Sequence, residues 1–176
     1  AWHDHGHENN PKVPRWEDTR KSSGFNFRMT EMQAAVGLAQ LKKLDFIVKK
    51  QRENHDKIWN KIKDIPGITK RLYPSHSKIS ADALIFFVKN RKEAIKCRES
   101  LIKEGISTKI LPEAYTWHFA KEWTHIKNLR KKHRNLKKSF NRSETLIKKS
   151  VSLPIFVKTS NKKIIKIEKA LKKVLK

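Results

Sequence analysis

Apolar positions divide the chain into three regimes. Residues 1–28 show no apolar period; His, Asn, Pro, Ser and Gly predominate, as in an irregular segment. From Thr30 a helical period begins. Thr30 followed by Gln33 has the form of a capping box, and Leu38, Leu41, Leu44 and Val48 recur at helical spacing. The pattern continues through His55, Trp59 and Ile62 until Pro66 and Gly67, which predicts one long helix. Ala34, Ala35, Gly37 and Ala39 keep its first turns slim, so that another backbone can pack close.

The third regime alternates strands and helices. Residues 83–88 are apolar on both faces, as in a strand covered on both sides. RKEAIKCRESLIKEG follows as an amphipathic helix stopped by Gly105, and ISTKIL reads as a second strand. This gives a β–α–β unit over about residues 83–111. A basic helix is predicted over residues 135–149, a short strand at VSLPIF, and a final helix in IIKIEKALKKVL capped by Ser160 or Asn161. The expected class is therefore α/β.

Charge narrows the partners without naming one. The 176 residues carry a formal net charge of +25, a field that attracts anions of every kind. KNLRKKHRNLKK, residues 127–138, is the best nucleic-acid candidate, yet it lacks interleaved aromatics and any known binding motif. Lysine is spread over every helix, so the reading is no nucleic acid. No apolar run is long enough to span a bilayer, so no membrane partner is expected either. The single cysteine, Cys97, excludes an internal disulfide and reads as a buried, inert thiol compatible with a reducing, cytoplasmic setting. His3, His5 and His7 would share one face of an extended strand. Without a second ligand cluster they read as a polar loop rather than a metal site.

GFNFRMTEMQAAVGLAQLKKLD holds the densest chemistry. Gly24 permits an unusual backbone, Asn26 offers an amide, and Arg28 offers a fork of donors suited to phosphate or carboxylate. A helix N-terminus follows directly, so the loop is either a modest anion site or a loop tied down by its own polar groups.

The same stretch resembles the helix-entry motif of the DegT/DnrJ/StrS-type sugar aminotransferases, through Gly24, Phe25, Asn26, Arg28, Met29, Gln33, Ala34, Ala35, Gln40 and Leu41. His5 and Gly6, GISTKIL and VSLPIF extend the likeness over most of the chain. HDHGHENNPKVPRWEDTR and LPEAYTWHFAKEWTH resemble one branch, the transaminases that make 8-amino-3,8-dideoxy-manno-octulosonate for bacterial lipopolysaccharide.

The resemblance implies much that composition does not. It implies the C-terminal small domain of an aspartate-aminotransferase-type (fold type I) enzyme, with residues 1–28 as an active-site and dimer loop, 29–66 as a connecting helix and 67–176 as the small domain. It implies pyridoxal 5'-phosphate as cofactor, with glutamate and a keto sugar as substrates: the amine passes from glutamate to the cofactor and then to the sugar's carbonyl carbon. It implies a homodimer in which Asn26 reaches the cofactor phosphate of the partner subunit. His118, Trp117 and Arg28 are the expected substrate contacts, and Arg15 and Arg20 are further candidates for a substrate carboxylate. The lysine that holds the cofactor belongs to a domain upstream of the family's His-Gly, so this chain is expected to be a C-terminal part, inactive alone. A basic nucleic-acid-binding module and a non-catalytic interaction domain are the alternatives.

Overall fold

The computed structural model describes residues 11–14, 17, 29–108, 119–133 and 135–175. The chain forms two compact units, Ala1–Leu44 and Asp45–Lys176.

In the first unit, helix α1 spans Glu31–Leu41. The capping box expected at its start is formed: Gln33 N–H donates to Thr30 Oγ1 at 3.3 Å, and Thr30 N–H donates to Gln33 Oε1 at 2.9 Å. None of its residues is buried.

The expected long helix is in fact two. Lys43 N–H bonds the Gln40 carbonyl, a three-residue closure that tightens the last turn of α1. Helix α2 then runs from Leu44 to Ile62. Neither Gly nor Pro marks the break, so nothing in the local sequence announced it. α2 ends four residues before Pro66, and Gly67, at φ +82°, turns the chain into the sheet.

The second unit is built on a three-stranded antiparallel sheet in the order β1 (Thr69–Lys70), β2 (Ala83–Phe87), β3 (Ser150–Pro154). In the β2–β3 pair Leu84 faces Leu153 and Phe86 faces Val151. These four alternate residues lie on one face, and all are at most 1% exposed. Ala83, Ile85 and Phe87, on the other face of β2, are only half-buried, so the strand is covered fully on one side rather than two. β1 is a short edge strand, Thr69 opposite Phe87, that the apolar pattern did not show.

Three helices close the buried face. Ile58 and Ile62 come from α2, Ala94, Cys97 and Leu101 from α3 (Arg91–Lys103), and Ile164, Ile167 and Leu171 from α6 (Asn161–Lys172). Both later helices begin at side-chain caps: Asn90 accepts from Glu93 N–H, and Ser160, an expected cap, accepts from Lys163 N–H. α3 ends as Gly105 predicts. Gly105, at φ +73°, donates to the Ile102 carbonyl and Ile106 donates to the Leu101 carbonyl, a Schellman closure that draws Ile106 into the core. Residues 106–108 are not in a strand, and the rest of ISTKIL lies outside the described residues. Burial and the nearby Glu93 carboxylate push the Cys97 thiol up to about 12, so it stays protonated and unreactive at neutral pH.

The basic helix expected over residues 135–149 is also divided. A 3-10 turn covers Leu136–Lys138, and α5 occupies Asn141–Lys148. Between them Phe140 adopts φ +65°, a left-handed backbone that a continuous helix cannot contain. Its ring sets the exception: it meets Phe119 edge-on at 6.4 Å and His133 at 5.2 Å between centroids.

Candidate functional site

Asn26, Arg28, Trp117 and His118 all lie outside the described residues, as do His3, His5, His7, Arg15 and Arg20. What the structure gives is the scaffold on which those segments end.

Downstream of Asn26 and Arg28 the chain enters α1. Its capping box commits Gln33 N–H to the Thr30 hydroxyl, and Glu31 puts a carboxylate in the first turn. Both features reduce what this helix end offers an anion, so a phosphate contact here rests on the loop's own side chains rather than on the helix. The apolar side chains of α1 are open: Met32 is 79% exposed, Leu38 63% and Leu41 62%. A Cβ at Gly37 would meet nothing within 4 Å. The slim surface read from the sequence is there, and none of its residues is buried.

Downstream of His118 the chain is anchored at once. Phe119 is buried, and a 3-10 turn follows at Ala120–Glu122. Lys121 on this turn donates to Glu144 on α5, and Lys148 donates to the same carboxylate at 2.6 Å. The Lys121 arm of this tie was not legible in the sequence, because it spans 23 residues, whereas Lys148 and Glu144 lie one helical turn apart. The hydrogen bonds from Lys121 and Lys148 hold the Glu144 carboxyl below the usual carboxylate range. A depressed folded value means that the tie contributes stability above the unfolded pKa and loses it as the pH falls through the folded one. Glu144→Gln is therefore expected to lower the melting temperature at neutral pH and to flatten the acid-side loss below pH 4.5, in thermal melts taken across that range.

Three open clefts mark the described surface. One of about 370 Å³ is lined by Arg71, Tyr73 and Asp82, and one of about 560 Å³ by Lys57, Asn60 and Asn161. The third, about 880 Å³, is lined by Lys127, Arg130, Lys131 and His133. Among the described residues no three His, Cys, Asp or Glu side chains come together as a metal site, and no helix is long and apolar enough to cross a membrane.

Comparison with known proteins connects these parts. Residues 1–172 match the DegT/DnrJ/EryC1/StrS aminotransferase family. The chain is 36% identical over 102 residues to the UDP-4-amino-4,6-dideoxy-N-acetyl-beta-L-altrosamine transaminase of Helicobacter pylori, covering 54% of this chain and 26% of that protein. It is 29% identical over 157 residues to an uncharacterized protein of Methanocaldococcus jannaschii, covering 86% of this chain and 38% of that one. Among solved structures, Helicobacter pylori PseC, an aminotransferase of pseudaminic acid biosynthesis, superposes with a TM-score of 0.68 at 24% identity over 99% of this chain and 44% of its own. The sugar aminotransferase CalS13 of Micromonospora echinospora gives 0.69 at 16% over 98% and 42%. The chain thus spans well under half the length of these relatives. Its fold is that of fold type I sugar aminotransferases, as the sequence implied, and its sheet and helices are consistent with their C-terminal part.

Proposed function

Because the chain belongs to the DegT/DnrJ/EryC1/StrS aminotransferase family, we propose that it is the C-terminal part of a pyridoxal-phosphate-dependent enzyme that moves an amino group from glutamate to a keto sugar. In this reading residues 1–28 form the active-site loop, the helices within 29–66 connect, and 67–176 form the small domain. Asn26 contacts the cofactor phosphate across a homodimer interface, while His118, Trp117 and Arg28 line the sugar. The product is 8-amino-3,8-dideoxy-manno-octulosonate, destined for lipopolysaccharide, and the enzyme works in the cytoplasm. The branch assignment rests on HDHGHENNPKVPRWEDTR and on the Trp117–His118 pair.

The observation that carries the reading is α1. A well-capped helix of eleven residues, apolar around most of its circumference, buries none of them within this chain. Such a helix is held in place by packing, which the described residues do not supply and which this reading assigns to other protein. A family whose members are more than twice as long supplies that protein, either as an upstream domain or as a second subunit.

The described residues themselves do not fit the cofactor's covalent attachment. A lysine that forms a Schiff base needs a desolvated setting. Among the described residues no lysine is buried. No chemical step is therefore assigned to this segment; its share is contact and positioning.

The 176-residue chain mixed with pyridoxal phosphate and then reduced with borohydride should carry no stoichiometric label on any one lysine. A single lysine labelled one-to-one, mapped by peptide mass, would show that the attachment site lies within this segment and would remove the proposed division of labour.

A further inference from the structure

The basic run at residues 127–138 finds no role in the amino-transfer reading, yet the fold gives it a definite shape. Helix α4 (Lys127–Lys132) ends at His133, and a 3-10 turn follows at Leu136–Lys138. Between them opens the cleft of about 880 Å³, with Lys127, Arg130, Lys131, His133, Thr124 and Asn135 on its walls.

Its walls carry three fixed positive charges, and no carboxylate is among the described lining residues. Lys127, Arg130 and Lys131 form no ion pair with any described residue, whereas Lys121 and Lys148 nearby share Glu144. The backbone that presents them is anchored rather than loose. Leu136 is buried, Asn135 caps the 3-10 turn through Lys138 N–H, and the His133 ring rests on Phe140. Like charges held together on a fixed scaffold repel, and an anion placed among them removes that repulsion.

We propose that this cleft binds a phosphorylated small molecule bearing two or more negative charges. Arg130 supplies a planar fork that matches phosphate oxygens, the two lysines supply point charges, and Thr124 and Asn135 supply neutral polar groups at the rim. The volume lies within the usual range for small-ligand sites. A nucleic-acid strand fits less well. Among the described lining residues the only ring is His133, already engaged with Phe140, so these residues offer no free aromatic surface to a base. The site stands on the cleft's geometry and does not require the amino-transfer reading.

The test is calorimetric titration of the 176-residue chain with inorganic pyrophosphate at near-physiological salt. The comparison is between Arg130→Gln/Lys131→Gln and a control of equal charge change on the α6 end, Lys162→Gln/Lys173→Gln. All four positions are exposed, so both variants should fold, which thermal melts verify. The expected result is one saturable site, weakened by about tenfold or more in the cleft variant and unchanged in the control. Equal weakening in both variants would reduce the effect to the overall charge and overturn the proposal. So would the absence of saturable pyrophosphate binding, or tighter binding of a single-stranded oligonucleotide that is lost in the cleft variant.

Discussion

Phe86→Ala should cost the chain about 3–5 kcal/mol of folding stability, the largest single-residue effect expected. Phe86 is completely buried near the C-terminal end of β2, directly opposite Val151. Its ring belongs to the core that α2, α3 and α6 share, so its removal leaves a cavity bounded by elements from four parts of the chain. Domains of this size are stable by only about 5–15 kcal/mol. The variant should therefore unfold at a much lower urea concentration and populate the unfolded state at body temperature. Phe87→Ala is the natural contrast. Phe87 is adjacent in sequence but on the half-covered face, and its loss should cost less than half as much. Equal costs in the two denaturation curves would mean that the second face of the sheet is covered as fully as the first.

That contrast marks where the sequence was legible and where it was not. An unbroken apolar run predicted the strand at residues 83–88, but such a run cannot say whether both faces are covered; only the packing partners decide that. Caps were readable where their logic is local: Thr30 with Gln33, Ser160 with Lys163 N–H, and Gly105 each act over a few residues. β1 was invisible because Thr69 and Lys70 are in a strand only by virtue of Phe87 and Phe86, well downstream. Phe140 was read as helical because its left-handed backbone is compensated by ring contacts with His133 and with the sequence-distant Phe119, which a helical period does not register. The cleft beside α4 is similar: composition shows a basic run, and only the fold shows that it lines a concave surface.

The candidate cofactor and substrate contacts rest on a different kind of reading. Nothing in the chemistry of Asn26 singles it out from other loop asparagines; the family motif does so, and the family match over residues 1–172 supports reading the motif as a whole. The physical counterpart of that motif is α1. Its capping box and slim surface were expected from sequence, and the structure adds that none of its residues is buried.

Asn54→Leu should destabilise the second unit by about 1–3 kcal/mol, although it replaces a polar residue with an apolar one inside the protein. Asn54 is 5% exposed on α2, and its Nδ2 donates to the carbonyls of Phe156 at 2.8 Å and Val157 at 3.0 Å. Those carbonyls follow β3, so one amide fixes the exit of the strand against the helix. Gln51 donates to Ile155 O from the previous turn, and Arg52 donates to Ile79 O at 2.7 Å. α2 thus clamps two connections with polar side chains while Ile58 and Ile62 hold the core. Leucine would gain apolar burial but leave the Val157 carbonyl without its donor and the Phe156 carbonyl with only the Thr159 hydroxyl, and the second effect is the larger. Faster amide hydrogen exchange around residues 155–159, together with a lower urea midpoint, is the expected signature. An unchanged midpoint with exchange faster only in those residues would mean that the clamp orders the strand exit without contributing to global stability.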